Sequence, residues 1–341
     1  MNADVQVLIQ SYSSFQFINK VIDFWSKTGL KVSIFHEPNE PIHGQYNFSK
    51  ENLDYFVCEF DYFDRLSFAL NHLKSKYVVM IPDDEVMLTS SLIKASKLLD
   101  DDPEIGSVGG QTVALYRYGY CTPLTPAYQS YMEYENLSNE TLKRVYYHFG
   151  KDSPIVRTAA CYRVMRTEIF EEIISSTLRF GRENIYILEV IADLVLTLRA
   201  KSMYMKELVW IRNWIRNSVS FSLGKRSVPF YIWYENNQKT REIFKEFFYT
   251  KYESENRHTV DLAMNYAYRN FKIAETRQSL MHKRYGLNLL RGIYRRFRSI
   301  YFIFKNWSKL VVHDEIEPNH KIQMSSEEFT LAIRHILSLP N

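Results

Sequence analysis

The alternation of apolar and polar positions divides the chain into short strands and longer helical stripes. Val5-Gln6-Val7-Leu8-Ile9-Gln10 reads as a first strand, and Ser11-Tyr12-Ser13-Ser14 follows as a turn able to cap a helix. Phe15, Ile18, Val21, Ile22 and Trp25 recur at helical spacing, Gly29 closes that helix, and residues 30–35 form a second strand. A strand-helix-strand order of this length predicts a parallel pair. It places the hydroxyls of residues 11–14 and His36-Glu37 on one sheet edge. Residues 38–55 read as a loop, 55–60 as a third strand, and 62–73 as a helix with Phe63, Leu66, Ala69, Leu70 and Leu73 on one face. That helix feeds the apolar run 77–81, a buried fourth strand, and three carboxylates follow at once: Asp83-Asp84-Glu85. Carboxylates at the C-terminal end of a parallel strand lie where open α/β sheets bind ligands. The alternative is a solvated turn before a helix capped by Thr89-Ser90-Ser91.

A helix over 91–99 stops at Asp100-Asp101-Asp102-Pro103. Residues 105–115 read as a strand broken by Gly106, Gly109 and Gly110, and glycine inside a strand marks a bulge or a close approach by ligand or backbone. Residues 116–150 read as irregular and Tyr-rich. Residues 159–165 form a further strand, leading into a helix that starts near Thr167. The stretch 183–199 is almost wholly apolar, a helix buried on most sides, with Glu189 and Asp193 four apart on one face. Two acids there are costly without partners, and Arg199 and Lys201 are at hand. Residues 208–211 read as the last strand. From about residue 227 strand signals fade and aromatic-rich helical stretches take over. This puts a boundary at 218–227, between a unit at 1–220 and a mostly helical region at 227–341.

Composition adds bounds. At 341 residues and 46% hydrophobic, the chain can form two packed units, and 11 Gly with 10 Pro do not describe a disordered one. Cys58, Cys121 and Cys161 match neither a zinc spacing nor a disulfide framework, which fits a reducing compartment. The N-terminus lacks a signal-peptide layout, and no stretch reaches 18 uninterrupted apolar residues, so a cytoplasmic protein without a spanning helix is expected. Ser13 and Ser14 lack a hydrolase context, and His36, His72 and His148 lack metal-like spacing. The net charge of +4 is uneven: residues 276–313 hold nine basic residues and no acid, so the remainder is net acidic. Over 286–310 an aromatic and aliphatic stripe (Leu290, Ile293, Phe297, Ile300, Phe304, Trp307) is flanked by Arg291, Arg295, Arg298 and Lys305. That is the pattern of an interfacial membrane helix. Packing on the catalytic unit or on a second subunit is the equal alternative. No nucleic-acid module accompanies the patch, and no nucleic-acid partner is expected.

The order of these parts resembles the GT-A nucleotide-sugar glycosyltransferases, close to glycosyltransferase family 2 and its bacterial surface-polysaccharide relatives. The resemblance covers residues 5 to about 215. It rests on the opening Val7-Leu8-Ile9-Gln10-Ser11-Tyr12, the helix-strand-acid run 65–85, the strand Cys161-Tyr162-Arg163-Val164-Met165-Arg166, and the Glu189/Asp193 helix. It implies an α/β fold of GT-A type, a Rossmann-like mixed, mainly parallel sheet flanked by helices, with a helical C-terminal extension. It implies transfer of a sugar from a nucleotide-activated donor to a glycan or lipid-linked glycan acceptor, by direct displacement with inversion. The enzyme would be cytoplasmic or peripheral on the inner face of the membrane, and open to homo-oligomers. Ser11, Tyr12 and Glu37 fall at the nucleotide, Arg65 near its base or phosphates, and Gly109, Gly110 and Gln111 at the sugar pocket. The acidic turn would hold a divalent cation, Mg²⁺ or Mn²⁺, through Asp84 and Glu85, with Asp83 on the ribose. Pro82 stands where the first Asp of the usual Asp-x-Asp would align, so Asp83 with Glu85 is the other possible pair. Glu189 is the implied general base, with Asp193 second. Two rivals remain: a nucleotidyltransferase, which would show a Gly-rich basic loop after the first strand, and an inactive nucleotide-binding scaffold, which Pro82 keeps open.

Overall fold

The computed structural model describes residues 4–40, 48–59, 61–116, 122–127, 135–150, 162–180, 184–214, 228, 230–236, 238–284, 310–311 and 326–339. β1 (Val5–Ser13) pairs in parallel with β2 (Lys31–Pro38) on one side and with β5 (Tyr77–Pro82) on the other. β4 (Leu53–Val57) extends this parallel block beyond β2, and β3 (Phe48–Lys50) borders it antiparallel. β9 (Val164–Arg166) lies antiparallel between β5 and β7 (Ile105–Tyr116). β7 pairs in turn with β8 (Thr122–Ala127) and, in parallel, with β10 (Lys201–Trp214). β6 (Val86–Met87) joins β10, and β11 (Leu310–Val311) joins β8, completing one mixed sheet.

Side chains alternate across this sheet with period two. Val5, Val7 and Ile9 pack with α1 (Phe15–Trp25) and α3 (Thr89–Asp101). Leu8, Val78 and Met80 pack on the opposite face with α2 (Tyr62–Leu70), α4 (Thr141–Phe149), α5 (Thr167–Phe180) and α6 (Ile185–Arg199). α7 (Phe230–Asn236), α8 (Gln238–Lys251) and α9 (Arg257–Arg284) add Phe230, Phe244, Phe248 and Phe271 to that second core. The architecture is α/β, a mixed sheet with helices on both faces and a helical C-terminal region. α1 starts where the sequence places it, because Ser14 accepts from the Phe17 amide. Gly29, at φ 70°, turns the chain out of α1 in a conformation that disfavours a side chain.

Several expectations are corrected. β1 runs on through Ser11–Ser13 instead of turning, because β2 continues beside it as far as Pro38. Residues 48–50, expected in a loop, form β3. Residues 116–150 contain β8 and α4. Pro123 and Pro126 hide β8 from a strand reading. Arg144 and His148 on the inner face of α4 hide its apolar stripe. Arg144 is buried and donates to the carbonyls of Thr197 (2.9 Å), Leu198 (3.0 Å), Ser138 (3.1 Å) and Asn139 (3.2 Å), so it caps the last turn of α6. The 208–211 run is the middle of the longer β10, and β11 follows it in the chain and pairs with β8. The basic stripe over 290–307 and the boundary at 218–227 lie outside the described residues. Among those described, no helix is long and apolar enough to cross a membrane.

A final helix, α10 (Ser326–Ser338), sets Phe329, Ala332, Ile333 and Ile336 on Val86, Val113, Leu208 and Ile211. Its His335 stacks on Phe24 of α1 at 4.3 Å. Burial lowers the His335 pKa from 6.5 to about 4, with Asp23 opposing and Lys20 adding to the shift. A folded-state pKa below the unfolded value means that the neutral ring stabilises the fold above pH 6.5, and that this contribution is lost as pH falls toward 4. The shift corresponds to about 3 kcal/mol at most. Denaturant melts at pH 7 and pH 4.5 should therefore show a smaller loss of stability in His335→Phe than in the wild type. Equal losses would contradict this assignment.

Candidate functional site

The strand order reverses at β1: β2 and β4 run off to one side and β5 to the other. Such a switch point leaves a crevice at the C-terminal strand ends. Ser11 and Ser13 end β1, and Asp83 follows β5 directly. The Ser11 hydroxyl donates to Asp83 Oδ2, and the Ser11 and Ser13 hydroxyl oxygens lie 2.8 Å apart. This bridge joins the C-terminal ends of β1 and β5. Burial raises the Asp83 pKa, and the two serine hydroxyls and the charge of Arg65 oppose the rise.

Arg65 enters from α2 beneath the strand ends and is 2% exposed. Its Nε donates to Gln10 Oε1 at 3.3 Å, and Nη1 donates to Glu37 Oε2. Enclosed in this way, the guanidinium acts on the crevice through its field and through its hold on Glu37. His36 lies alongside, with Nε2 2.9 Å from the Ser13 carbonyl and Nδ1 2.6 Å from the Tyr55 hydroxyl. A carbonyl only accepts, so Nε2 carries the proton and Nδ1 accepts from Tyr55. Burial lowers the His36 pKa, and the neutral ring ties together β1, β2 and β4. Above this buried layer Tyr12, 46% exposed, pairs in register with Glu37.

The acidic residues separate by environment. Asp83 and Asp84 are half-buried, whereas Glu85 is 4% exposed. Arg212 Nε approaches Glu85 Oε1 at 3.2 Å, and the Trp210 indole lies beside the same carboxylate. Burial pushes the Glu85 pKa well up, with Arg212 opposing and Asp84 adding to it. Glu85 thereby anchors the turn to β10. Among the described residues no group of three His, Cys, Asp or Glu side chains is arranged to hold a metal ion. Asp84, with Asp83 beside it, supplies one or two carboxylates. That donor set fits Mg²⁺ or Mn²⁺ when substrate phosphates and water fill the other positions.

The glycines of β7 have partners within the chain. A Cβ on Gly109 would lie 2.6 Å from Arg163 Nη1, and one on Gly110 would lie 2.3 Å from Val209 Cγ2. Arg163 donates from Nε to the Ser107 hydroxyl at 3.1 Å and from Nη2 to the Met203 carbonyl. β10 is irregular between Met205 and Trp210, opposite Gly110, Gln111 and Thr112. The close approach that strand glycines announce is therefore made by a buried guanidinium and a bulged neighbour. Gln111 is half-buried beside them.

α6 runs opposite to the parallel strands. Its C-cap Ala200 abuts the start of β7, where a Cβ on Gly106 would meet the Ala200 Cβ at 2.4 Å. Its first turns therefore point to the edge that carries Asp83. Glu189 is half-buried near that end, and Asp193 is buried one turn deeper, with Oδ2 3.8 Å from His148 Nε2. The partners suggested by sequence are engaged elsewhere: Arg199 with Glu172 at 3.6 Å and Lys201 with Glu104 at 2.5 Å. Sequence reasoning placed the Ser13 hydroxyl and His36 on this edge without giving them a role, and it missed Gln10, Trp210 and Arg212 as members of this constellation. The signal for the last two was the alternation of Trp210 and Arg212 along a strand.

No protein-family model matches the chain, and no curated protein sequence matches it significantly. Solved structures do. Residues 1–349 of S. aureus TarS, a glycosyltransferase, in complex with UDP-GlcNAc, are 12% identical over 80% of this chain and 73% of that one, with a TM-score of 0.50. The same TarS segment in a second structure is 11% identical over 82% and 92% of the two chains, at a TM-score of 0.44. A longer TarS chain is 13% identical over 73% of this chain, at 0.45, and this chain spans 40% of it. At such identities the likeness describes fold alone, and it rests on the 0.50 superposition. The chain thus shares the fold of this TarS segment, a mixed α/β sheet flanked by helices with a helical C-terminal region.

Proposed function

We propose that the chain is a metal-dependent, inverting glycosyltransferase of GT-A type, similar to family 2, that moves a sugar from a nucleoside-diphosphate donor to a glycan or lipid-linked glycan. The observation that carries the reading is the Ser11–Asp83 bridge across the switch point, flanked by exposed Tyr12 with Glu37 and by Asp84. Residues 1–220 would be the catalytic unit, and the region from 227 would serve the acceptor or the membrane surface. The TarS complex with UDP-GlcNAc makes a UDP-sugar the first donor to test.

In this mechanism the Tyr12 ring offers a face to the nucleobase, and Glu37, held by Arg65, accepts from a ribose hydroxyl. Asp83, fixed by Ser11 and Ser13, takes the second ribose contact, and Gln111 borders the sugar. Asp84, with Asp83 beside it, would hold the cation. The bound cation supplies Lewis-acid neutralisation of the leaving diphosphate. Glu189 takes the proton of the acceptor hydroxyl. The acceptor oxygen then forms its bond to the anomeric carbon from the face opposite the diphosphate. As the bond to the phosphate oxygen breaks, its electron pair leaves with the diphosphate, and configuration inverts.

A thermal-shift panel of UDP-, GDP-, ADP- and dTDP-sugars, each with Mn²⁺, Mg²⁺ or EDTA, tests the proposal. One nucleotide class at 100 times its Kd should stabilise by about 2.7 kcal/mol, a rise of several degrees. The rise should disappear in EDTA. No shift with any nucleotide and cation would remove the transferase reading.

A further inference from the structure

The residues that follow the acidic turn are held from the far end of the chain. α3 begins without a side-chain cap of its own: Leu88 is its N-cap, and no hydroxyl of Thr89-Ser90-Ser91 closes it. The missing acceptor comes from α10. Glu328 Oε1 accepts from the Ser90 amide at 3.2 Å, and Oε2 accepts from the Ser90 hydroxyl at 2.5 Å. Beneath this contact, Phe329, Ile333 and Ile336 cover Val86 and Leu88. From the other side β10 fixes the same segment. The Leu88 amide donates to Val209 O at 2.9 Å, the Ser91 hydroxyl to Leu208 O at 2.6 Å, and Arg212 holds Glu85. Residues 85–91 are thus gripped between β10 and α10, and Asp83-Asp84 is the lip of that grip. A carboxylate at a helix N-terminus supplies both a hydrogen-bond acceptor and a favourable charge.

We infer that α10 is a built-in clamp and that Glu328 is a positioning residue, setting the acidic turn through β6 and the N-terminus of α3. This rests on the reading that the acidic turn receives the donor diphosphate. The clamp gives the C-terminal end of the chain a direct hold on donor affinity, although α10 need not touch the donor.

The test uses the full chain with Glu328→Ala, Glu328→Gln and Ser90→Ala, and with Leu331→Asp, an exposed site on the same helix (53% exposed), as control. Amide hydrogen exchange over 83–92 is measured without ligand, and UDP binding with Mn²⁺ is measured by calorimetry at 25 °C. Glu328→Ala should exchange about fivefold faster over 85–91, the fold-change that loss of a helix cap carries, and Ser90→Ala, which keeps the amide bond to Glu328, should change in the same direction by less. They should also weaken UDP, each by a similar factor. Glu328→Gln, which keeps an acceptor, should recover part of both effects, and Leu331→Asp should change neither. A merely structural role would lower the melting temperature and leave UDP affinity in place. Unchanged exchange over 85–91, or an equal change in Leu331→Asp, would overturn the clamp. Faster exchange in a protein whose wild type does not bind UDP would support the clamp and count against the donor reading instead.

Discussion

Asp84→Asn should lose sugar transfer by at least 10²–10³-fold while the protein stays folded, the scale seen when one group facing developing charge is removed. Asp84 is half-buried in the turn that follows β5, and the amide keeps its shape while removing its charge. The loss should be accompanied by failure to bind a nucleoside diphosphate in the presence of Mn²⁺. Glu85, the adjacent acid, should behave differently. It is buried against Arg212 and Trp210, so Glu85→Ala removes the partner of a largely buried guanidinium. Breaking such a pair from one side costs about 3–5 kcal/mol. The expected result is a marked fall in melting temperature, read by calorimetry, with activity falling in proportion to folded protein. If Glu85→Ala melted normally but no longer bound nucleotide, the roles of the two acids would be reversed.

Glu189→Gln should reduce turnover by about 10²–10⁴-fold with donor affinity unchanged, the range for a lost general base. Glu189 lies on the part of α6 nearest the strand ends, whereas Asp193 sits a turn deeper beside His148. Asp193→Asn should disturb a buried polar contact, so its effect should appear chiefly in stability. Kinetics on both variants, with donor Kd measured separately, decide the matter. A normal Glu189→Gln beside an inactive Asp193→Asn would transfer the base to Asp193.

Much of the strand and helix pattern was legible because it lies in local periodicity. Alternating residues in β1 and β5, the stripe of α1 and the apolar length of α6 each declare their element. The position of the acidic turn was legible because three carboxylates directly follow an apolar strand, whereas its use was not, since a solvated turn before a helix has the same pattern. What the sequence hid was long-range. α4 turns a charged residue inward, since Arg144 finds four carbonyls that only the fold assembles. Thr89-Ser90-Ser91 reads as a self-contained cap, yet the acceptor is Glu328, far along the chain. α10 itself was within reach of the pattern, with Glu327 and Glu328 opening a Phe329, Ala332, Ile333, Ile336 stripe. The strand glycines show the opposite limit: their spacing announces a close neighbour but does not say that the neighbour is Arg163.

The central claim is that a nucleoside-diphosphate sugar occupies the crevice between β1 and β5. Hydrogen exchange of the wild-type chain, with and without UDP-GlcNAc and Mn²⁺, tests this most directly. The account predicts protection concentrated at residues 10–13, 36–38 and 83–86, dependent on the cation. Binding that leaves these amides unchanged and protects another surface would contradict it.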